Sequence, residues 1–171
     1  MKLLAFVRNA SRFGGLALVF AGSLLAQRNV AVSVANNDLT GSGAATIVLT
    51  SQGDENALGF TVTFDPMVLR LEGTSNGADV TGATVHVNTR QATSGRVGVV
   101  LGLASGSAFA PGQRVLVELK FAVLASSRTN TAIGFADAPV AREVSDPRAR
   151  VLTATYTGVT VSAGTTPPGG T

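Results

Sequence analysis

The segment RVLVELKFAVL, residues 114–124, sets the strongest limit on the fold. Val115, Val117, Leu119, Phe121 and Val123 fall on one side of it, and Arg114, Leu116, Glu118, Lys120 and Ala122 on the other. Successive side chains of a strand point to opposite faces, so this period of two predicts a long strand with one buried face. The same period runs through RNVAVSV (Val30, Val32, Val34), LGFTVTF (Leu58, Phe60, Val62, Phe64) and RVGVVL (Val97, Val99, Leu101 against Arg96, Gly98, Val100). Further strands are expected at 45–51, 83–88, 131–136, 151–156 and 158–162. Between them lie NNDLTGSG, SQGDEN, TSNGAD, ASGSAFAPG and SSRTN, whose Gly, Asn, Asp and Ser supply turn conformations. After residue 26 no segment keeps a helical period over three turns. The expected fold class is all-β, an about nine-stranded two-sheet β-sandwich with jelly-roll topology.

The stretch LGFTVTFDPMVLRLEG, residues 58–73, predicts a corner. Asp65 can cap a turn with its carboxylate and Pro66 suits the position after it. The strand therefore stops at Phe64, and the turn folds Val68, Leu69 and Leu71 under the sheet edge as a core plug.

Lys2, Arg8 and Arg12 precede an apolar run, Phe13 to Leu25, followed by the small residue Ala26. The run is shorter than the ~20 residues of a membrane span, so residues 1–26 are expected to be a secretory signal peptide and the protein to be secreted or held at the cell surface. The chain has no Cys, so no disulfide is available to it. Three of the 13 basic residues lie in this leader and none of the 10 acidic ones do, which leaves 10 against 10 from Gln27 onward. A nucleic-acid partner needs uncompensated positive charge, and none is expected. Arg142, Arg148 and Arg150 cluster, but Glu143 and Asp146 lie among them, as in a solvated loop. Residues 27–163 make one domain of ordinary size. Residues 164–171 read as a flexible Pro/Gly/Thr-rich tail.

The strings GFTVTFDPMVL, GRVGVVL, GQRVLVELKFAV and LTATYTGVTV, in this order and spacing, resemble the cohesin domain over roughly residues 28–163. The resemblance implies a nine-stranded jelly roll with no catalytic role. It implies a scaffold or adhesion module that binds dockerins, the calcium-loaded helical modules carried by enzymes, in connection with polysaccharide degradation. In dockerin-binding cohesins, polar residues on the outer face early in the strand before the Asp-Pro corner touch the partner. Ala57 and Gly59 stand at those positions here, without a polar side chain.

The remaining residues offer little catalytic chemistry. His86 is the only histidine and alternates outward beside Thr84 and Asn88, so any Ser-His-Asp triad would have to use it; an exposed strand histidine is expected instead. No set of His and Cys could hold zinc. Asp54, Glu55 and Asn56 form an oxygen-rich turn that could hold calcium, but a solvated hairpin turn is the reading expected; Asp79 with Asn76 carries a similar weak suggestion. No carboxylate pair stands out for glycoside hydrolysis. No enzyme activity, cofactor or metal is expected. The chain has no Trp and one Tyr, Tyr156, placed inward with Leu152 and Ala154, so an aromatic platform for flat polysaccharide is poorly supplied. The expected partner is another protein module, dockerin-type or a surface protein; a carbohydrate-binding module on the same architecture, with a polysaccharide partner, is the alternative. Alternation places Thr61, Thr63, Glu118 and Lys120 on outer faces, where a sandwich leaves each sheet available, and these four are the expected partner-binding residues.

Overall fold

A computed structural model describes residues 27–164. The expected signal peptide and the tail beyond Gly164 lie outside the described residues. Among the described residues twelve strands form two layers. They are β1 (Asn29–Val34), β2 (Asp38–Thr40), β3 (Ser42–Ser51), β4 (Ala57–Thr63), β5 (Leu69–Asn76), β6 (Thr84–Asn88), β7 (Arg96–Gly102), β8 (Gly112–Val123), β9 (Thr129–Ala136), β10 (Glu143–Ser145), β11 (Thr155–Thr157) and β12 (Val159–Gly164). One sheet has the order β11-β1-β3-β8-β5; the other runs β2-β12-β9-β4-β7-β6, with β10 also on β4. The chain changes layer at almost every connection, which is the jelly-roll wiring expected, with twelve strands in place of nine. Gly164, assigned from sequence to the tail, is the buried end of β12.

The apolar rows meet between the layers. Val30, Ile47, Leu49, Leu119 and Phe121 of one sheet and Phe60, Val62, Val97, Val99, Ile133 and Val161 of the other are fully buried. Phe64 packs edge-on against Phe121, with centroids 4.9 Å apart. The Asp-Pro corner forms as predicted: Asp65 Oδ1 accepts the Met67 N–H at 2.8 Å and the Asp65 carbonyl accepts the Leu69 N–H at 2.9 Å. Leu69 is buried, but it opens a further strand, β5, instead of ending in a plug.

Leu116 departs from the expected pattern. Ile47 pairs with Val117 and Val48 with Val115, so Leu116 is the extra residue of a β-bulge. The bulge reverses the phase of alternation, and Leu116 is buried, not outward as predicted. Asp79 answers the irregularity, its Oδ2 accepting the Val115 N–H at 2.8 Å. A Cβ on Gly77 would lie 2.2 Å from the Val115 carbonyl oxygen, so only glycine fits beside the bulge. Asp79 thus has a structural task in place of the suggested calcium one.

The turn 51–56 is closed by a buried ion pair. Glu55, fully buried, accepts from Arg28 Nε at 2.5 Å, from the Ser51 hydroxyl at 2.5 Å and from the Gln52 N–H at 2.9 Å. Arg28 also donates to Asp54 at 2.5 Å and to the Thr153 carbonyl at 2.8 Å. Asn56 turns the other way, its amide donating to the carbonyls of Ala104 and Ser107. The three side chains therefore do not converge on a common point, and the two carboxylates are engaged by nitrogen and hydroxyl donors. The turn expected to be solvated is thus closed over a buried carboxylate.

Two measurements follow from these contacts. Phe64→Ala should lower stability by about 3–5 kcal/mol in urea denaturation, whereas Asp65→Ala, which removes one turn hydrogen bond, should cost about 1 kcal/mol. Burial alone would raise the Glu55 carboxyl, but the Gln52 N–H, the Ser51 hydroxyl and Arg28 outweigh it and hold it at about 2, below its ordinary 4.5. A depressed folded-state value stabilises above the unfolded value and is lost as pH falls through the folded one. The stability advantage of the wild type over Glu55→Gln should therefore be full above pH 4.5 and shrink by about 3 kcal/mol toward pH 2. Denaturation curves across that range check it; a constant difference would contradict it.

Candidate functional site

Strand pairing assembles a continuous outer face on the β6-β7-β4 side. His86 pairs with Val100, Val100 with Gly59, and Gly59 with Glu143. The next row is Thr84, Gly102, Ala57 and Ser145; on the other side lies Asn88, Gly98, Thr61 and Ala136. Because Leu58, Phe60, Val99, Leu101 and Val144 take the core side, these residues must face out. Val100 is 46% exposed, with Gly59 on one side of it in its row and His86 on the other. Two hollows flank it. One, of about 300 Å³, is lined by Ala57, Gly59, Val100, Val140, Ala141 and Glu143 among others. The second, of about 390 Å³, is lined by Asn56, Thr84, His86, Val100 and Leu103 among others.

The four residues expected at a partner surface do not come together. Thr61 points to this face but is fully buried, because residues 139–141 lie over it. Its hydroxyl donates to the Val140 carbonyl at 2.7 Å and accepts the Val140 N–H at 2.9 Å. Thr63 is half-buried on the same face. Glu118 and Lys120 stand on the outer face of the other sheet, paired loosely with each other at 4.0 Å. Val100, Glu143 and Ser145 were missed; the signal for Val100 was its place opposite the core phase in RVGVVL.

The charged groups around the face are largely engaged. Arg142 grips Asp137 with two bonds of 2.8 Å, which hold the Asp137 carboxyl well below its ordinary range. The same guanidinium lies 5.5 Å from the centre of the Tyr156 ring. Burial pushes the Tyr156 phenol up to about 12, and its ring packs edge-on against Phe135 at 5.4 Å. Tyr156 is thus inward, as expected. Arg150 pairs with the buried Asp146 at 2.6 Å, so two of the three clustered arginines are neutralised locally. Glu143 makes no ion pair among the described residues. His86 is exposed, and among the described residues no hydroxyl or carboxylate is bonded to it, so none of them forms a triad with it. Among the described residues no helix is long and apolar enough to cross a membrane.

No curated protein sequence matches the chain. The structure is similar to a non-cellulosomal cohesin from the hyperthermophilic archaeon Archaeoglobus fulgidus, with a TM-score of 0.64 at 12% identity over 80% of this chain and 91% of that one. It is also similar to a cohesin module of a family 33 glycoside hydrolase from Clostridium perfringens, with a TM-score of 0.66 at 12% identity over 82% and 98%. A third likeness is to the sixth cohesin of Acetivibrio cellulolyticus scaffoldin B, solved in complex with a mutant Cel5 dockerin: TM-score 0.60, 17% identity, 78% and 97% covered. At these identities the likenesses establish the fold. The cohesin domain family model matches residues 26–161, most of the chain, and the chain therefore belongs to the cohesin domain family.

Proposed function

We propose that the chain is an exported, non-catalytic docking module that holds a dockerin-type module of another protein on the face around Val100. The observation that carries this reading is the exposed Val100 set between two hollows on an outer sheet face. Protein interfaces place their energy in a few large groups that enter desolvated pockets, and this face offers both a protruding valine and places for a partner's side chains. Membership of the cohesin family favours a dockerin-type partner. The apolar leader with its basic start supports export, and a module of this kind would gather dockerin-bearing enzymes outside the cell, including enzymes of polysaccharide degradation. A flat polysaccharide partner is less well served. The exposed large apolar side chains among the described residues are Met67, Val100, Leu124 and Val151, none of them an aromatic ring.

Titration with a panel of calcium-loaded dockerin modules tests the reading. At least one should bind with saturation. Val100→Asp should weaken it by on the order of 30-fold, a loss of about 2 kcal/mol. Lys120→Glu, on the opposite sheet, should leave it unchanged. Loss of binding on Lys120→Glu but not on Val100→Asp would move the site to the other face, and saturable binding of a glycan without any dockerin would replace the reading. The secreted protein should begin at Gln27 by N-terminal sequencing.

A further inference from the structure

The segment 137–142 breaks the pairing of β4 in an unusual way. β9 and β10 lie on the same edge of β4, with Ala136 opposite Thr61 and Glu143 opposite Gly59. On β4 only Phe60 separates those positions; on the facing chain residues 137–142 do. The surplus cannot stay in the sheet plane and folds over the outer face as a strap. A Cβ at Gly98 would lie 2.8 Å from Val140 Cγ2, and one at Gly59 would lie 3.1 Å from the Ala141 carbonyl oxygen. Both glycines are therefore seats for the strap. Thr61 holds it from below through both polar atoms of the Val140 backbone. Its feet are tied by the Asp137–Arg142 pair and by Arg96, which donates to the Ala138 carbonyl at 3.0 Å.

We propose that this strap is the specificity-determining wall of the docking face: it closes the row through Thr61 and directs the partner to the hollow between Val140, Val100 and Glu143, where an apolar side chain flanked by a lysine or arginine fits. The proposal rests on the docking reading above and deepens it. On one side of the closed row lies that of Thr63, and on the other lie the rows through Val100 and Ala57. The 300 Å³ hollow on them has walls of Ala57, Gly59, Val100, Val140 and Ala141, which match an apolar side chain. Arg142 and Arg96 are occupied in holding the strap, on Asp137 and on the Ala138 carbonyl. Among the described residues Glu143 is the acidic side chain in the lining of that hollow, and it makes no ion pair there. A carboxylate at the rim of a desolvated apolar contact favours a basic neighbour on the partner and penalises an acidic one.

The test uses a dockerin module in two versions, its apolar anchor flanked by lysine in one and by glutamate in the other, each calcium-loaded and titrated against the full mature chain. The wild type should prefer the lysine version by about 10-fold, and Glu143→Lys should reverse the preference. Both Glu143 and Val100 are exposed, so their variants keep the fold, which thermal melting verifies. Thr61→Val removes both bonds to Val140; faster hydrogen exchange at the Val140 amide should accompany weaker binding of both versions. A preference untouched by Glu143→Lys overturns the proposal, as does unchanged binding once the Val140 amide has been released. Either of those results, with binding still lost on Val100→Asp, leaves the docking reading standing. No binding of either version overturns both.

Discussion

The alternation on β4 is the constraint on which the rest of the molecule depends. Leu58, Phe60 and Val62 are buried to within 1% of completely, and the residues between them face out. A slip of one residue would exchange the two sets and put Phe60 in water. β4 cannot slip without breaking three pairings at once, since β7 lies on one edge and β9 and β10 on the other. The same register sets His86, Val100, Gly59 and Glu143 in one row. Core packing and the geometry of the outer face are thus consequences of one pairing, and a substitution that loosened the first would blur the second.

The irregular parts of the fold each carry their own polar partner. The bulge at Leu116 is answered by Asp79, the strap by Thr61, and the 51–56 turn by Glu55 with Arg28. A buried ion pair adds little over an apolar pair of the same shape, yet breaking it by removing one member is costly. Its effect here is selective. Arg28 reaches Asp54, Glu55 and the Thr153 carbonyl at once, so the start of β1, the 51–56 turn and the approach to β11 are held in one arrangement.

The layered fold was legible in the sequence because its buried rows are long and strictly alternating. β2 and β10 were not, since each spans three residues, too few for a period to emerge. β5 was hidden by its composition: RLEGTSN is polar, as suits a strand at the sheet edge. Leu116 was misplaced because a bulge shifts the phase without any mark in the side chains. Thr61 illustrates a different limit. Alternation gives the direction of a side chain but not what lies on top of it, and the covering segment comes from far along the chain, at Val140. Val100 was open to notice, an apolar residue on the polar phase of its strand.

Gly59 draws these points together. In dockerin-binding cohesins, as the resemblance implies, polar side chains stand where this chain has Ala57 and Gly59, and their absence suggests a lost contact. The structure supports another account of the glycine, because any larger residue there would meet the strap. Small residues also change how the face can discriminate. A site built on hydrogen bonds rejects a partner that leaves them unmade, whereas an apolar hollow distinguishes side chains only weakly, by about 1–3 kcal/mol per methylene. Selectivity on a face of this kind has to come from its surroundings: from a wall that limits which rows are open and from a charge placed at the rim. The strap and Glu143 occupy those two positions, and the glycine that looks like a missing contact is what allows the wall to be there.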